Sequence, residues 1–380
     1  YRNNPQNAPG LELFDIQGVN KLLTINTNAS DARVPVVYKA NASYSHFINE
    51  KFKVTITGFA TLGRNNYVYV DRNMAVNPFF RLENEGGRGV YVPAASITNA
   101  APDWQQGRIS QKIGRVLEMN SKGRVNQFAA VLDATYQYFK DGTITFSYTL
   151  NDTKDNTSYN GNVANTATLA LPVKDDPRDL SKMSYSDNHF RHKIVFYGTL
   201  PTFYGVSVGI RYSGIGGTRY SLLSGGNTNG DFVSGTNDLA FIFDRNNAAV
   251  PANIQTGLKA IMDNPNTSQS LKDYINKYSG QIAERNGGIN GFYGIFDLRI
   301  SKKFKVYKTH SIEISGDLFN VANLLNKKWG VNESMGNQAL YSVNSFNNTT
   351  NQFVYNVNNS GIANPSGNPY QGQIGIRYGF

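Results

Sequence analysis

The chain has 380 residues, no cysteine and a formal net charge of +10. Without thiols, disulfides and thiolate metal centres are excluded, and no apolar run approaches the ~18 residues of a membrane helix. The basic residues are dispersed, with no Lys/Arg run and no RNA-binding motif, which argues against nucleic acid; lumen-facing arginines or anionic lipid head groups account for the charge equally well.

A mean hydropathy of −0.42 does not argue against a membrane. Strands that alternate lipid-facing and lumen-facing residues average out to polar. The 23 Tyr, 22 Phe and 36 Gly suit strands, aromatic belts and turns.

Tyr1 is preceded by no initiator Met, charged n-region or apolar h-region, so a signal peptide is expected to have been removed upstream. One or two strands are expected near Leu11–Asn26. From Val36 onward the alternation becomes regular. Tyr38, Ala40, Ala42 and Tyr44 oppose Lys39, Asn41, Ser43 and Ser45, and a short turn leads to Phe52, Val54, Ile56, Gly58, Ala60 and Leu62. Phe128 to Tyr138 and Ile144 to Leu150 form a second pair across Lys140-Asp141-Gly142. His189–Leu200 and Val206–Ser213 form a third around Pro201. Phe296, Leu298 and Ile300 pair with Ile312, Ile314 and Leu318 in a fourth.

Links within pairs are short. Those between pairs are long, about Gly63–Arg124, Thr153–Asn188, Gly214–Tyr293 and Asn320–Pro369. Structureless loops of that length are suspect in a compact domain, whereas bacterial barrels combine tight periplasmic turns with long extracellular loops. Within the third long loop, Ile254–Met262 and Ser270–Tyr278 have apolar residues at helical spacing and predict two short packing helices. The Asn-rich stretch Asn344–Asn359 reads as a loop or mobile hairpin.

The last strand is unpaired. Tyr370, Gly372, Ile374, Ile376, Tyr378 and Phe380 share one face, and Gln371, Gln373, Gly375, Arg377 and Gly379 the other. Aromatic residues at the end of a fully alternating strand suit a wall that meets lipid at its interfaces. Ile374, Ile376, Tyr378 and Phe380 are expected to form the terminal strand used in barrel assembly. The expected fold class is therefore all-β, a transmembrane antiparallel β-barrel with long extracellular loops. An odd set of nine strands cannot close such a barrel alone, and open edges would leave unsatisfied amides in lipid, so residues 1–380 are expected to be the C-terminal part of a longer polypeptide.

No catalytic constellation is visible, and neither an enzyme nor a cofactor is expected. His189 and His192, three apart on a predicted strand, face opposite sides, which disfavours a shared metal. Asp71, Asp103, Asp152, Asp155, Asp175 and Asp176 are assigned to loops and lack calcium-loop spacing. Arg191, Arg211, Asp297, Arg299, Glu313, Asp317 and Arg377 occupy the polar phase of their strands and are the lumen-facing candidates, with Arg299 and Glu313 as a possible cross-strand pair. For any single one, hydrating the wall is the simpler role. Asn320, Asn323 and Asn326 are expected to fix the exit from strand to loop.

The stretch Phe296-Asp297-Leu298-Arg299-Ile300-Ser301-Lys302-Lys303-Phe304, followed by Asp317-Leu318-Phe319-Asn320-Val321-Ala322-Asn323, resembles the C-terminal barrel of TonB-dependent receptors. Arg191-His192-Lys193 with Leu200-Pro201 and Tyr212-Ser213-Gly214 resembles the same family's hairpin, and Asn286-Gly287-Gly288 looks most like its Oar-like, Bacteroidota-type branch. The resemblance implies a 22-stranded barrel, an N-terminal plug and a TonB box. Neither plug nor box is recognisable in this sequence. It further implies a bacterial outer-membrane location, with membrane lipid, the barrel-assembly machinery, TonB through a missing N-terminal part, and a surface lipoprotein as partners. Two rival readings are a receptor-like scaffold without transport and a secreted glycan-binding β-protein, which would be polar on both strand faces.

Overall fold

The computed structural model describes residues 24–139, 141–158, 171–233, 235–363 and 366–380. Nine strands form one antiparallel path in which every strand pairs with its chain neighbours. They are β1 (Val36–Asn49), β2 (Phe52–Asp71), β3 (Val116–Tyr138), β4 (Gly142–Asp155), β5 (His192–Thr199), β6 (Val206–Gly216), β7 (Phe292–Tyr307), β8 (His310–Phe319) and β9 (Gln371–Gly379). The all-β, antiparallel expectation holds. In the described sheet β1 and β9 are the two edges.

Directly paired residues share a face, so the register shows where each alternating set goes. Tyr44, Ile56, Leu132, Tyr148 and Ile194 form one continuous row across β1 to β5. Phe146, Phe196, Tyr212 and Phe296 form another across β4 to β7. Ile210, Leu298 and Leu318 continue it across β6 to β8, and Ile314 meets Ile376 at the far edge. One face is apolar across all nine strands, and it is uncovered: Tyr44 is 68% exposed, Ile376 76% and Ile374 82%. The other face carries hydroxyls, amides and charges, such as Ser45 bonded to Thr55 at 2.9 Å and Thr135 to Thr145 at 3.2 Å.

Several strands outrun their alternation. Pairing of β2 with β3 continues to Asp71 opposite Leu117, so the first long connection is 72–115 rather than Gly63–Arg124. The alternating pattern breaks because the register shifts between Gly63 and Asn66 and again before Val68, with Asn65 at φ 58. Likewise β4 reaches Asp155 and β6 reaches Gly216, leaving connections 156–191, 217–291 and 320–370. Asp71, Asp152 and Asp155 thus lie on strands, not in loops. Most of Leu11–Asn26 lies outside the described residues. A short strand at Ile25–Asn28 runs parallel to Val116–Met119 and is not a member of the antiparallel path.

The hydrophobic core is in the connections. Leu82, Val90, Val92 and Ile97 from 72–115, Tyr220, Leu222 and Phe241–Phe243 from 217–291, and Tyr341, Phe353 and Tyr355 from 320–370 pack into one buried cluster. Phe243 stands 5.8 Å from Tyr341 and 6.0 Å from Tyr355, ring to ring. Both expected helices form, α1 (Ala252–Asp263) and α2 (Gln269–Lys277). The first buries Ile254, Leu258 and Ile261, one face at four- and three-residue spacing, each contributing about 1.5–3 kcal/mol. Ser268 caps the second by accepting from Leu271 N at 3.2 Å. The stretch Asn344–Asn359 is a hairpin, Tyr341–Asn347 with Gln352–Val357, but Phe353 and Tyr355 anchor it in this core instead of leaving it mobile.

Candidate functional site: polar face and loop assembly

Six of the seven charged residues singled out in the sequence gather on the polar face of β6 to β9. Arg211 is directly opposite Asp297, with Nη1 3.9 Å from Oδ2. Arg299 is opposite Asp317, 3.1 Å away, and reaches Glu313 diagonally at 3.7 Å. Glu313 in turn is opposite Arg377. The expected Arg299–Glu313 pair is present, but Asp317 is the closer partner. The cations and carboxylates alternate across four strands, and Arg299, Glu313, Asp317 and Arg377 border a cavity of about 200 Å³. Such solvated pairs contribute about 0–1 kcal/mol each, so the ladder shapes a polar surface more than it holds the fold.

Arg191 is not in this group. It stands just before β5 and pairs with Asp152 at 3.2 Å, a residue in the phase of Phe128 and Leu150. The strand begins at His192, and the Arg191 backbone still bonds Gly216 O and Asn151 N on the two neighbouring strands, whereas His189 lies before the strand, so its predicted strand placement fails. His189 is buried in the turn, where Nδ1 accepts from Thr153 N at 3.1 Å. Burial, then the Arg219 charge, lowers its pKa to about 4. His192 Nδ1 instead meets Tyr148 Oη at 2.7 Å.

The exit from β8 behaves as the sequence suggests. Asn320 adopts φ 54, and its Nδ2 donates to Gly330 O at 2.9 Å and Asn368 O at 3.1 Å. Its backbone N donates to Asp297 Oδ1 at 2.9 Å, which ties the loop to the charged ladder. Asn323 Nδ2 donates to Lys327 O and Trp329 O, and Asn326 Oδ1 accepts from Lys328 N.

Inside the loop assembly the charges are buried and mostly matched. Arg88 lies 3.2 Å from Glu85, and Tyr355 Oη donates to Glu85 Oε1 at 2.5 Å. Burial raises the Glu85 pKa despite Arg88. Arg108 pairs with Asp71, which also accepts from Asn73 N and Val116 N. The Tyr355–Glu85 and Arg108–Asp71 contacts could not be inferred from the sequence, because their partners lie 270 and 37 residues apart.

A cavity of about 410 Å³ opens where β2 and β3 meet the loops, lined by Arg64, Arg72, Lys122, Arg124 and Arg178. Arg72 is held by Glu118 at 2.6 Å, and Arg178 by Asp176 and the carbonyls of Met74, Ala75 and Val76. Arg64 donates to Gly63 O, Val125 O and Asn126 Oδ1. Lys122 and Arg124 have no side-chain partner among the described residues, which equips this cleft to receive an anionic group. Their scattered positions in the sequence gave no warning of it. Among the described residues no group of three or more His, Asp or Glu could hold a metal ion, so any metal site would need amide and carbonyl donors.

No family model and no curated protein matches the chain. Three solved structures are similar to it. The outer membrane transporter YddB from Escherichia coli has a TM-score of 0.41 at 10% identity, covering 94% of this chain and 34% of that one. The FrpB iron transporter from Neisseria meningitidis has 0.41 at 9% identity, covering 93% and 33%. The copper transporter OprC has 0.35 at 8% identity, covering 92% and 32%. The chain thus spans about a third of the length of each.

Proposed function

We propose that the chain is part of the barrel wall of a TonB-dependent outer-membrane receptor, with its long connections on the cell surface and its short turns in the periplasm. The observation that carries this reading is the division of the sheet: one face apolar and uncovered across nine strands, the other polar, with three long connections sharing one buried core and the fourth hydrogen-bonded to them. Such a wall suits lipid on one side and a hydrated lumen on the other. The edges of β1 and β9 would pair with further strands of the complete barrel, relieving their unpaired amides. Ile374, Ile376, Tyr378 and Phe380 would serve as the assembly strand for the barrel-assembly machinery. Arg211, Asp297, Arg299, Glu313, Asp317 and Arg377 would face the lumen. A ligand captured at the loop assembly would pass along that surface once TonB, acting through a plug outside this chain, clears the way. A surface lipoprotein would dock on the loops.

A second reading, a receptor-like scaffold without transport, draws support from the loop assembly itself. Its single buried core makes it a preformed docking body. The absence of cysteine makes a clean topology test available. With Thr349→Cys in a loop and Glu50→Cys and Thr309→Cys in short turns, an impermeant maleimide should label only the first on intact cells. Labelling of the short turns on intact cells would sink the membrane reading. Crosslinking of the complete protein to TonB separates receptor from scaffold.

A further inference from the structure

Residues 227–238 of the loop assembly read Asn-Thr-Asn-Gly-Asp-Phe-Val-Ser-Gly-Thr-Asn-Asp. Numbered from Asn227, oxygen-bearing side chains fall at positions 1, 3, 5 and 12, as Asn227, Asn229, Asp231 and Asp238. Position 7, Val233, can offer its carbonyl. This is the donor spacing of a twelve-residue calcium loop. The segment departs from that pattern at position 6, where Phe232 stands in place of glycine, and at position 12, where aspartate replaces glutamate. The glycine with positive φ comes two residues early, at Gly230 with φ 75.

Spacing alone would carry little. The independent observation is a set of buried oxygens without partners. Asp238 is fully buried, and its Oδ1 has no hydrogen bond, while Oδ2 accepts from Thr228 N at 2.7 Å. Asn237 Oδ1 is buried and equally unpartnered. Asn237 Nδ2 donates to Asp231 Oδ2 at 2.9 Å.

The charges do not balance either. Asp231 and Asp238 are both buried, and the charge of each acts on the other. The cation nearest to Asp238 is Arg88, already 3.2 Å from Glu85. Glu85 and Asp238 therefore share the Arg88 guanidinium, and Asp231 adds a further buried carboxylate beside Asp238. Arg108 and Arg115 lie against the Phe232 ring, and both act on Asp71. Buried charge at this density calls for a counter-ion or for protonation.

We propose that segments 227–233 and 235–238 bind a hard divalent cation of calcium size through Asn227, Asn229, Asp231, the Val233 carbonyl and Asp238. An ion of charge +2 neutralises the pair and gives Asp238 Oδ1 its missing partner. The same segment links three connections. Tyr91 N donates to Asn229 O at 2.8 Å, Val173 N to Asn237 O at 2.6 Å, and Leu239 N to Val173 O at 3.2 Å. Bound calcium therefore staples connections 72–115, 156–191 and 217–291 into one body. With two carboxylates and no bidentate glutamate, the dissociation constant belongs at the weak end, on the order of 10⁻⁴–10⁻³ M. The site stands whether or not the protein transports.

The chain carries its own reporter. Trp104 lies edge-on to Phe232 with ring centroids 6.4 Å apart, and Trp329→Phe leaves it as the sole tryptophan. The full chain in detergent, stripped with a chelator, is titrated with CaCl2 and followed by Trp104 fluorescence and by calorimetry. The expected result is a saturable change with a midpoint near 10⁻⁴–10⁻³ M. Magnesium at equal concentration should give little, and Asp273→Asn on α2 should behave as wild type. Asp238→Asn should abolish the response. Should that variant misfold, the wild-type calorimetry decides alone. No calcium response up to about 10 mM, ten times the weak limit, would overturn the proposal and leave a shared proton as the explanation for the pair.

Discussion

Arg285 Nη2 stands 2.8 Å from Asp155 Oδ1, with both side chains almost fully buried. The same nitrogen donates to the Asp155 carbonyl, so the loop assembly is bolted to the last residue of β4. Removing one partner strands a buried charge, which costs about 3–5 kcal/mol. Arg285→Ala should therefore loosen connection 217–291 while the sheet stays intact. Limited proteolysis in detergent checks this: cleavage should appear within 217–291 and leave the strands protected.

The two faces of the sheet should answer oppositely to charge. Leu132 lies mid-strand on the apolar face between Ile56 and Tyr148, whereas Ser147 lies on the polar face opposite Asp133. In lipid, Leu132→Arg should cost about 2–4 kcal/mol and lower the yield of folded protein, and Ser147→Arg should be nearly neutral. Folding yield into lipid vesicles, read by heat-modifiable gel mobility, distinguishes them. Equal effects would contradict the assignment of faces.

His189 supplies a pH dependence with a definite sign. Its folded pKa of about 4 lies below the ordinary 6.5, so the unfolded segment takes up a proton that the folded one refuses. The contribution is complete above pH 6.5, declines as pH falls between 6.5 and 4, and amounts to roughly 3 kcal/mol. Histidine side-chain NMR should find His189 neutral at pH 5, and His189→Gln should flatten that part of the stability profile.

Arg299 should matter little for stability. Its pairs with Asp317 and Glu313 are solvated, so Arg299→Ala should shift the unfolding midpoint by an equivalent of at most about 1 kcal/mol. Its effect should appear instead in single-channel conductance of the plug-free barrel, through loss of a cation from the polar face. A large loss of stability would mean that the ladder is structural.

Strand order, face and turn position were legible in the sequence because they are local. A two-residue period records which face each side chain takes, and Phe296 to Ile300 or Ile374 to Phe380 needed no distant partner to be read. Both helices were legible for the same reason, since Leu258 and Ile261 sit one turn or less from Ile254 and Leu258. The Asn227–Asp238 spacing was also there to be found, though the aspartates weighed in the sequence lay elsewhere.

Tertiary structure decided the rest. Glu85 and Tyr355 are 270 residues apart and meet in one hydrogen bond, and no period connects them. Aperiodic apolar residues such as Leu222 and Phe353 look the same in an open loop as in a core until chain crossings bring them together. His189 was read as strand by alternation, but it lies before β5, which begins at His192. Alternation assigns a face. Burial, the charge balance of Asp231 and Asp238, and the choice of ion-pair partners depend on long-range contacts, and only the folded chain fixes those.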